Sequence, residues 1–198
     1  MSISEEIAIA AARWVVEDGM EYSAAKRRAA RDLGRRSGRQ GALPSNEELE
    51  DQVREHIDLF CAETQPAELQ ALREVAQTWM QRLAAFRPYL GGAVWRGTAT
   101  KASAVFLDLY CDDVKSTEIA LINAGVDFDI GAIERPGTEP LNVLTVGSRS
   151  AALKELVSVH LLLHDLDDLR GALKPDARGR SWRGDLLALT ALMTGGAA

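Results

Sequence analysis

The sequence predicts an α+β fold: a helical block over residues 1–88, a mixed or antiparallel sheet over residues 89–165, and a C-terminal helical segment over residues 166–198. Three observations carry that expectation. Apolar residues recur at helical spacing through the first 88 positions. β-rich runs separated by turn signals take over after Pro88. The apolar run 182–193 (WRGDLLALTALM) then closes the chain as a helix packed on the sheet region.

The elements follow in order. Ile3, Ile7, Ala11, Trp14 and Val15 share one face of a first helix, with Gly19 as its stop. Ser23 can cap the basic helix that follows, whose Ala24, Ala25, Ala29, Ala30 and Leu33 form a small-residue face. Residues 34–45 (GRRSGRQGALPS) hold three glycines and a proline and read as a loop. Asn46 caps a third helix with Leu49, Val53, Ile57 and Phe60 on one stripe, its Glu47, Glu48 and Glu50 favoured by the helix dipole. Residues 64–66 (Thr-Gln-Pro) break it. A longer helix carries Leu69, Leu72, Val75, Ala76, Trp79, Leu83 and Phe86 on one face, and Pro88 ends it by pushing Arg87 away from helical angles.

Residues 104–111 (AVFLDLYC) are β-rich, and 114–124 form a helix closed by Gly125. Residues 126–133 (VDFDIGAI) alternate as a strand, and Pro136-Gly137 turns the chain through 134–140 into a strand at 141–146. Residues 147–150 (GSRS) read as an N-cap leading into a short helix to Leu156. In 157–163 (VSVHLLL) Val157, Val159 and Leu161 alternate with Ser158 and His160, which favours a strand.

Composition narrows the function classes. Of the 198 residues 46% are hydrophobic and 26% charged, the balance of a folded globular chain. A chain of this size buries roughly 70% of its unfolded surface, so its core needs no disulfide or metal staple. No apolar run reaches the roughly 18 residues of a membrane span. The start carries Glu5 and Glu6 where a secretory signal carries positive charge. A cytoplasmic protein without a membrane partner is the expectation. Cys61 and Cys111 make neither a disulfide framework nor a zinc site. Net charge is −6, yet residues 21–40 hold seven basic residues against Glu21 and Asp32. Arg27, Arg28 and Arg31 of that segment are candidates for nucleic-acid phosphate contact. The other reading is a solvated helix face paired with acids elsewhere.

The most informative stretch is residues 88–113, PYLGGAVWRGTATKASAVFLDLYCDD. It resembles the signature of the nucleotidyltransferase superfamily with the polymerase-beta-like fold, G-S-x-x-x-G-x-A-x-x-x-S-D-x-D followed by apolar residues. Gly92 falls on the first glycine, Ala93 on the serine, Gly97 on the inner glycine and Ser103 on the serine before the acids. The stretch also resembles small bacterial nucleotidyltransferase-like proteins with an R-P-Y-L…G-T-A-T…D-D-x-K pattern. The resemblance covers these 26 residues closely, and nothing in the first 80 matches. It implies a polymerase-beta-like core that moves a nucleoside monophosphate from a nucleoside triphosphate to an acceptor hydroxyl, on RNA or protein, with Mg2+. Gly92, Gly97, Thr98 and Ser103 would line the phosphates, with Arg96 or Lys101 neutralising their charge. Glycines admit close backbone approach to phosphate, and paired carboxylates hold the bridging metal.

The sequence departs from that pattern at the metal positions, which fall on Ala104 and Phe106. The next residue on the same strand face is Asp108, about 6–7 Å farther along. Asp108 with Asp129 of the following strand is the candidate catalytic and metal-binding pair. The competing reading makes Asp108 a solvent-facing strand acid and Asp112-Asp113 a turn. Two functions stay open: a magnesium-dependent nucleotidyltransferase, or a nucleotidyltransferase-fold protein without catalysis that binds or regulates, with RNA as a ligand of the basic helix. The run 160–168 (HLLLHDLDD) reads as a strand and its exit, and Cys111 as a buried strand residue.

Overall fold

Ser2 opens α1 (Ile3–Asp18) with a reciprocal capping box: its hydroxyl accepts the Glu5 N–H, and the Glu5 carboxylate accepts the Ser2 N–H. The structure, a computed structural model, describes residues 2–34, 43–135, 137 and 139–195. Residues 35–42, with Arg35, Arg36, Arg39 and most of the expected loop, and Pro136 of the expected turn lie outside the described residues. α2 (Tyr22–Asp32) starts at Glu21 without a side-chain cap, so Ser23 lies inside it. α3 (Asn46–Phe60) is capped by Ser45 and Glu48 in a second capping box, one residue before the Asn46 that the sequence suggested. A hydroxyl there satisfies one orphan N–H while Glu48 returns to another, which Asn46 alone does not do. α4 (Gln65–Arg82) tolerates Pro66 in its first turn, where no intrahelical N–H is needed. It stops at Arg82, and a single 3₁₀ turn (Ala84–Phe86) replaces its expected last turn.

Chain contacts divide the molecule into two units, Met1–Leu69 with Thr98–Ser103, and Gln70–Gly97 with Ala104–Ala198. The first is helical. Ile7, Ala11, Ala12, Val15 and Val16 of α1 pack with Ala25, Ala29 and Ala30 of α2 and Leu49, Val53 and Ile57 of α3. The alanines let the helix backbones approach, and the branched residues supply the buried area, about 1.5–3 kcal/mol for each large side chain. Gly19 is indispensable at the end of α1. Its φ is +65°, and a Cβ there would lie 2.0 Å from the Ala102 carbonyl oxygen.

The second unit is built on a six-stranded sheet. Its strands are β1 (Tyr89–Gly91), β2 (Val105–Cys111), β3 (Asp129–Ile133), β4 (Leu141–Ser150), β5 (Glu155–Asp165) and β6 (Arg183–Gly184). The order across the sheet is β3-β4-β5-β2-β1-β6. β2 and β5 are parallel, and the other described pairs are antiparallel. The helices are α5 (Gly92–Arg96), α6 (Val114–Asn123), α7 (Leu169–Ala172) and α8 (Leu186–Met193). The whole is α+β with a mixed sheet, as expected.

Two local expectations change. Residues 147–150 continue β4 instead of capping a helix, and residues 151–154 are the turn of a β4–β5 hairpin in which the Ser150 hydroxyl accepts the Leu153 N–H. Backbone pairing of Ser150 with Glu155 outweighs the local cap signal. The strand expected from Val126 starts only at Asp129.

One face of the sheet is the core. Leu90, Leu107, Leu161 and Leu144 stand in register across β1, β2, β5 and β4, each 0% exposed. α6 packs on this face, bringing the Thr117 hydroxyl 4.0 Å from Cys111 Sγ. The opposite face of β2 and β5 carries Phe106, Asp108, Tyr110, His160, Leu162 and His164.

Candidate functional site

Alternation along β2 puts Phe106, Asp108 and Tyr110 on one face, and β1 sets Gly91 opposite Phe106 and Tyr89 opposite Asp108. The glycine pair therefore lies against this face. A Cβ on Gly91 would stand 3.4 Å from Asp108 Oδ2, and one on Gly92 3.4 Å from the Phe106 ring. Gly92 has φ +64° and is exposed, turning the chain directly into α5, a single helical turn.

Asp108 is neither solvent-facing nor open. It is 6% exposed, and its Oδ1 accepts from His164 Nε2 at 2.6 Å. Arg183 Nη1 stands 3.4 Å from the same oxygen and donates to the Tyr110 hydroxyl at 2.6 Å. The His164 ring stacks on Tyr110 with centroids 5.1 Å apart, and Tyr89 meets Tyr110 edge-on at 5.7 Å. The other His164 nitrogen, Nδ1, is 4.0 Å from the Asp168 carboxylate. Burial, then the Asp108 charge, pushes the Tyr110 phenol above its ordinary value, with Arg183 opposing. Arg183 Nε is buried and has no acceptor among the described residues.

Asp129 is elsewhere. It pairs with Thr145, Thr145 with His160, and His160 with Phe106, so it stands three strands from β2 in the Phe106 row. Three strand spacings put about 14 Å of sheet between Asp129 and that row. The structure does not bring Asp108 and Asp129 together. A magnesium ion needs oxygens at about 2.1 Å, so these two carboxylates do not fit one ion. Among the described residues no group of three or more His, Cys, Asp or Glu is arranged to hold a metal.

The residues expected on the phosphates belong to both units. Arg96 is in the sheet unit, its side chain 6% exposed and bonded through both terminal nitrogens. Its Nη2 donates to Asp176 Oδ2 at 3.0 Å, its Nη1 to the Ser181 carbonyl at 3.1 Å, and its guanidinium lies over the Trp182 ring. Asp176 organises a tight turn, accepting also from the N–H groups of Arg178 and Arg180. Burial alone would raise its carboxyl. The Arg180 N–H, the Arg96 guanidinium, the Arg178 N–H and the Arg180 charge outweigh that and bring it down to about 2. The Trp95 indole N–H donates to Ser181 as well, so residues 176–182 form a strap tied to α5. Gly97 ends α5 with φ +80°.

Thr98, Lys101 and Ser103 belong to the helical unit. The Thr100 hydroxyl donates to the Val16 carbonyl at 2.8 Å, Gln65 donates to the Ala99 carbonyl at 2.9 Å, and the Lys101 N–H donates to Glu68 at 2.9 Å. The Ser103 hydroxyl accepts the Thr100 N–H. Thr98 is 1% exposed. This segment staples the end of α1 through the Thr100 hydroxyl and the start of α4 through the Ala99 carbonyl and the Lys101 N–H, while the buried Thr98 hydroxyl has no partner among the described residues.

On α2, Arg27 and Arg31 are exposed. Arg28 lies over the half-buried Trp14 ring, its guanidinium carbon 3.6 Å from the centroid. Lys26 donates to the Pro44 carbonyl and Asn46.

The site residues that sequence reasoning passed over are His164, Tyr110, Arg183 and Asp176. His160 and His164 are both on β5 and share a face, not a strand and its exit. Their even numbering with Asp108 and Tyr110 was visible, but nothing in the chain announced that β5 lies parallel to β2. No family model matches the chain, and no curated protein matches it. No helix among the described residues is long and apolar enough to cross a membrane.

Proposed function

We propose that this chain is a nucleotidyltransferase-like protein that binds and does not transfer, its reaction face occupied by a closed His–Asp–Arg–Tyr cluster. The observation that carries this reading is the state of Asp108: nearly buried, with one carboxylate oxygen approached by both His164 and Arg183. Transfer chemistry of the implied kind rests on carboxylates that neutralise a metal held against phosphate. Here the Asp108 carboxylate is taken up by side chains, the His164 ring nitrogen and the Arg183 guanidinium. Drawing Asp108 onto a metal would take from the half-buried Arg183 the carboxylate beside it. The second carboxylate is missing from the neighbouring strand positions, where Leu162 and His164 stand. The exposed Gly92 turn beside Phe106 supports at most weak, metal-independent contact with a nucleoside triphosphate.

Isothermal titration with the four common nucleoside triphosphates tests this. Binding, where it occurs, is expected to be unchanged by magnesium. Binding that appears only with magnesium and is lost in Asp108→Asn would overturn the reading. A second reading, nucleic-acid binding through α2, is favoured by the exposure of Arg27 and Arg31. It is compatible with the first and concerns the helical unit alone.

A further inference from the structure

The apolar row Leu90–Leu107–Leu161–Leu144 does not end at β4. Its next member in register is Ile130 of the edge strand β3. The four leucines are 0% exposed, whereas Ile130 is 68% exposed and every residue of β3 is exposed. Natural edge strands are guarded by charged side chains, proline, a bulge or short length. β3, Asp129-Ile-Gly-Ala-Ile133, has no lysine or proline, its single charge is Asp129 at the first position, and its pairing with β4 is unbroken over all five residues. Among the described residues no strand pairs with its outer edge, which lies beside the exposed isoleucine.

We infer that β3 is the surface through which two copies of this chain join, edge to edge and antiparallel, about a two-fold axis through Gly131. Self-complementarity selects this partner and this register. With Gly131 opposite Gly131 of the partner subunit, Ile130 faces Ala132 of the partner subunit and all five residues of β3 are paired. The same register sets Asp127 opposite Arg135 of the partner subunit, twice by symmetry, on one face of the joined sheet. The register centred on Ala132 also opposes unlike charges, Asp129 against Arg135 of the partner subunit, but it sets Ile130 against Glu134 of the partner subunit and leaves the exposed isoleucine without an apolar neighbour. Registers centred between residues oppose odd with even positions, which point to opposite faces, so a two-fold pairing excludes them. Glycine at the axis leaves the closest approach free of side chains. A two-fold contact of this kind closes on itself and gives a dimer, not a fibre.

Sedimentation velocity over a concentration series tests the proposal on the full chain. A monomer–dimer equilibrium is expected. Ile130→Lys is expected to be monomeric throughout with unchanged circular dichroism, because the side chain is exposed. Asp127→Arg and Arg135→Asp, each alone, should weaken the dimer about tenfold, and the two together should restore most of the loss. A wild-type chain that stays monomeric, or a dimer that survives Ile130→Lys, overturns the proposal. So does a double charge swap no tighter than its parents, which would place the contact in another register.

Discussion

Asp108 Oδ1 and His164 Nε2 lie 2.6 Å apart across the parallel β2–β5 pair. That bond makes the strand acid half of a buried hydrogen-bonded pair. It also holds the imidazole flat on Tyr110, whose hydroxyl is fixed in turn by Arg183. Neither partner is more than 13% exposed at its side chain, so solvent screens the pair weakly.

His164→Ala should therefore destabilise the protein by about 3 kcal/mol, the cost of leaving a carboxylate poorly compensated in a low-dielectric site. Urea denaturation reads the loss directly. Replacing both partners, Asp108→Leu with His164→Leu, should recover part of it. A single variant as stable as the wild type would mean that the pair contributes nothing to the fold.

The strap at Asp176 predicts an acid transition of known sign. Its carboxyl sits at about 2, below the ordinary 3.8. A depressed carboxyl adds stability that is complete above the ordinary value and is lost as pH falls towards the folded one. The difference in stability between wild type and Asp176→Asn should thus be constant above about pH 4 and shrink between pH 4 and pH 2. Tryptophan fluorescence follows it, because Trp95 and Trp182 contact the strap.

Two glycines should resist any side chain. A Cβ on Gly184 would lie 2.1 Å from the Trp95 ring, and Gly19 meets backbone at 2.0 Å with φ +65°. Gly19→Ala and Gly184→Ala should each cost about 3 kcal/mol or more by strain or displaced packing. Gly125→Ala, with φ +63° but open space, should cost about 1–2 kcal/mol from its backbone angle alone. Equal losses at all three sites would contradict the close contacts.

Nucleic-acid binding by α2, where it occurs, should be a phosphate effect. Arg27→Glu with Arg31→Glu should lower affinity for RNA of any sequence and flatten the dependence on salt by about two counterions. Fluorescence anisotropy at several salt concentrations measures both. Unchanged binding would remove α2 from the interface.

Much of the fold was legible because its signals are local. Helical spacing marked α1, α3 and α4, β-rich composition marked β2, alternation marked β5, and the Pro-Gly pair marked the β3–β4 hairpin. Parity also placed Asp108 with Phe106 and Tyr110. The site was not legible, because strand order is a non-local property. β3 follows β2 in the chain, yet two strands lie between them, which moves Asp129 away and lets the later β5 deliver His164. The GTATKAS stretch misled for a different reason. A motif of small hydroxyl residues suits phosphate, but it suits backbone stapling equally, and Thr100 is bonded to Val16. Arg96 looked free for phosphate until Asp176, 80 residues later, claimed it.

The most direct test of the account is a transfer assay with radiolabelled nucleoside triphosphates, magnesium, and RNA and protein acceptors, run on the wild-type chain beside Asp108→Asn. The account predicts no incorporation above background by either protein. Magnesium-dependent labelling by the wild type that disappears in Asp108→Asn would contradict it, and would make the His164–Asp108 pair a resting state of an active site.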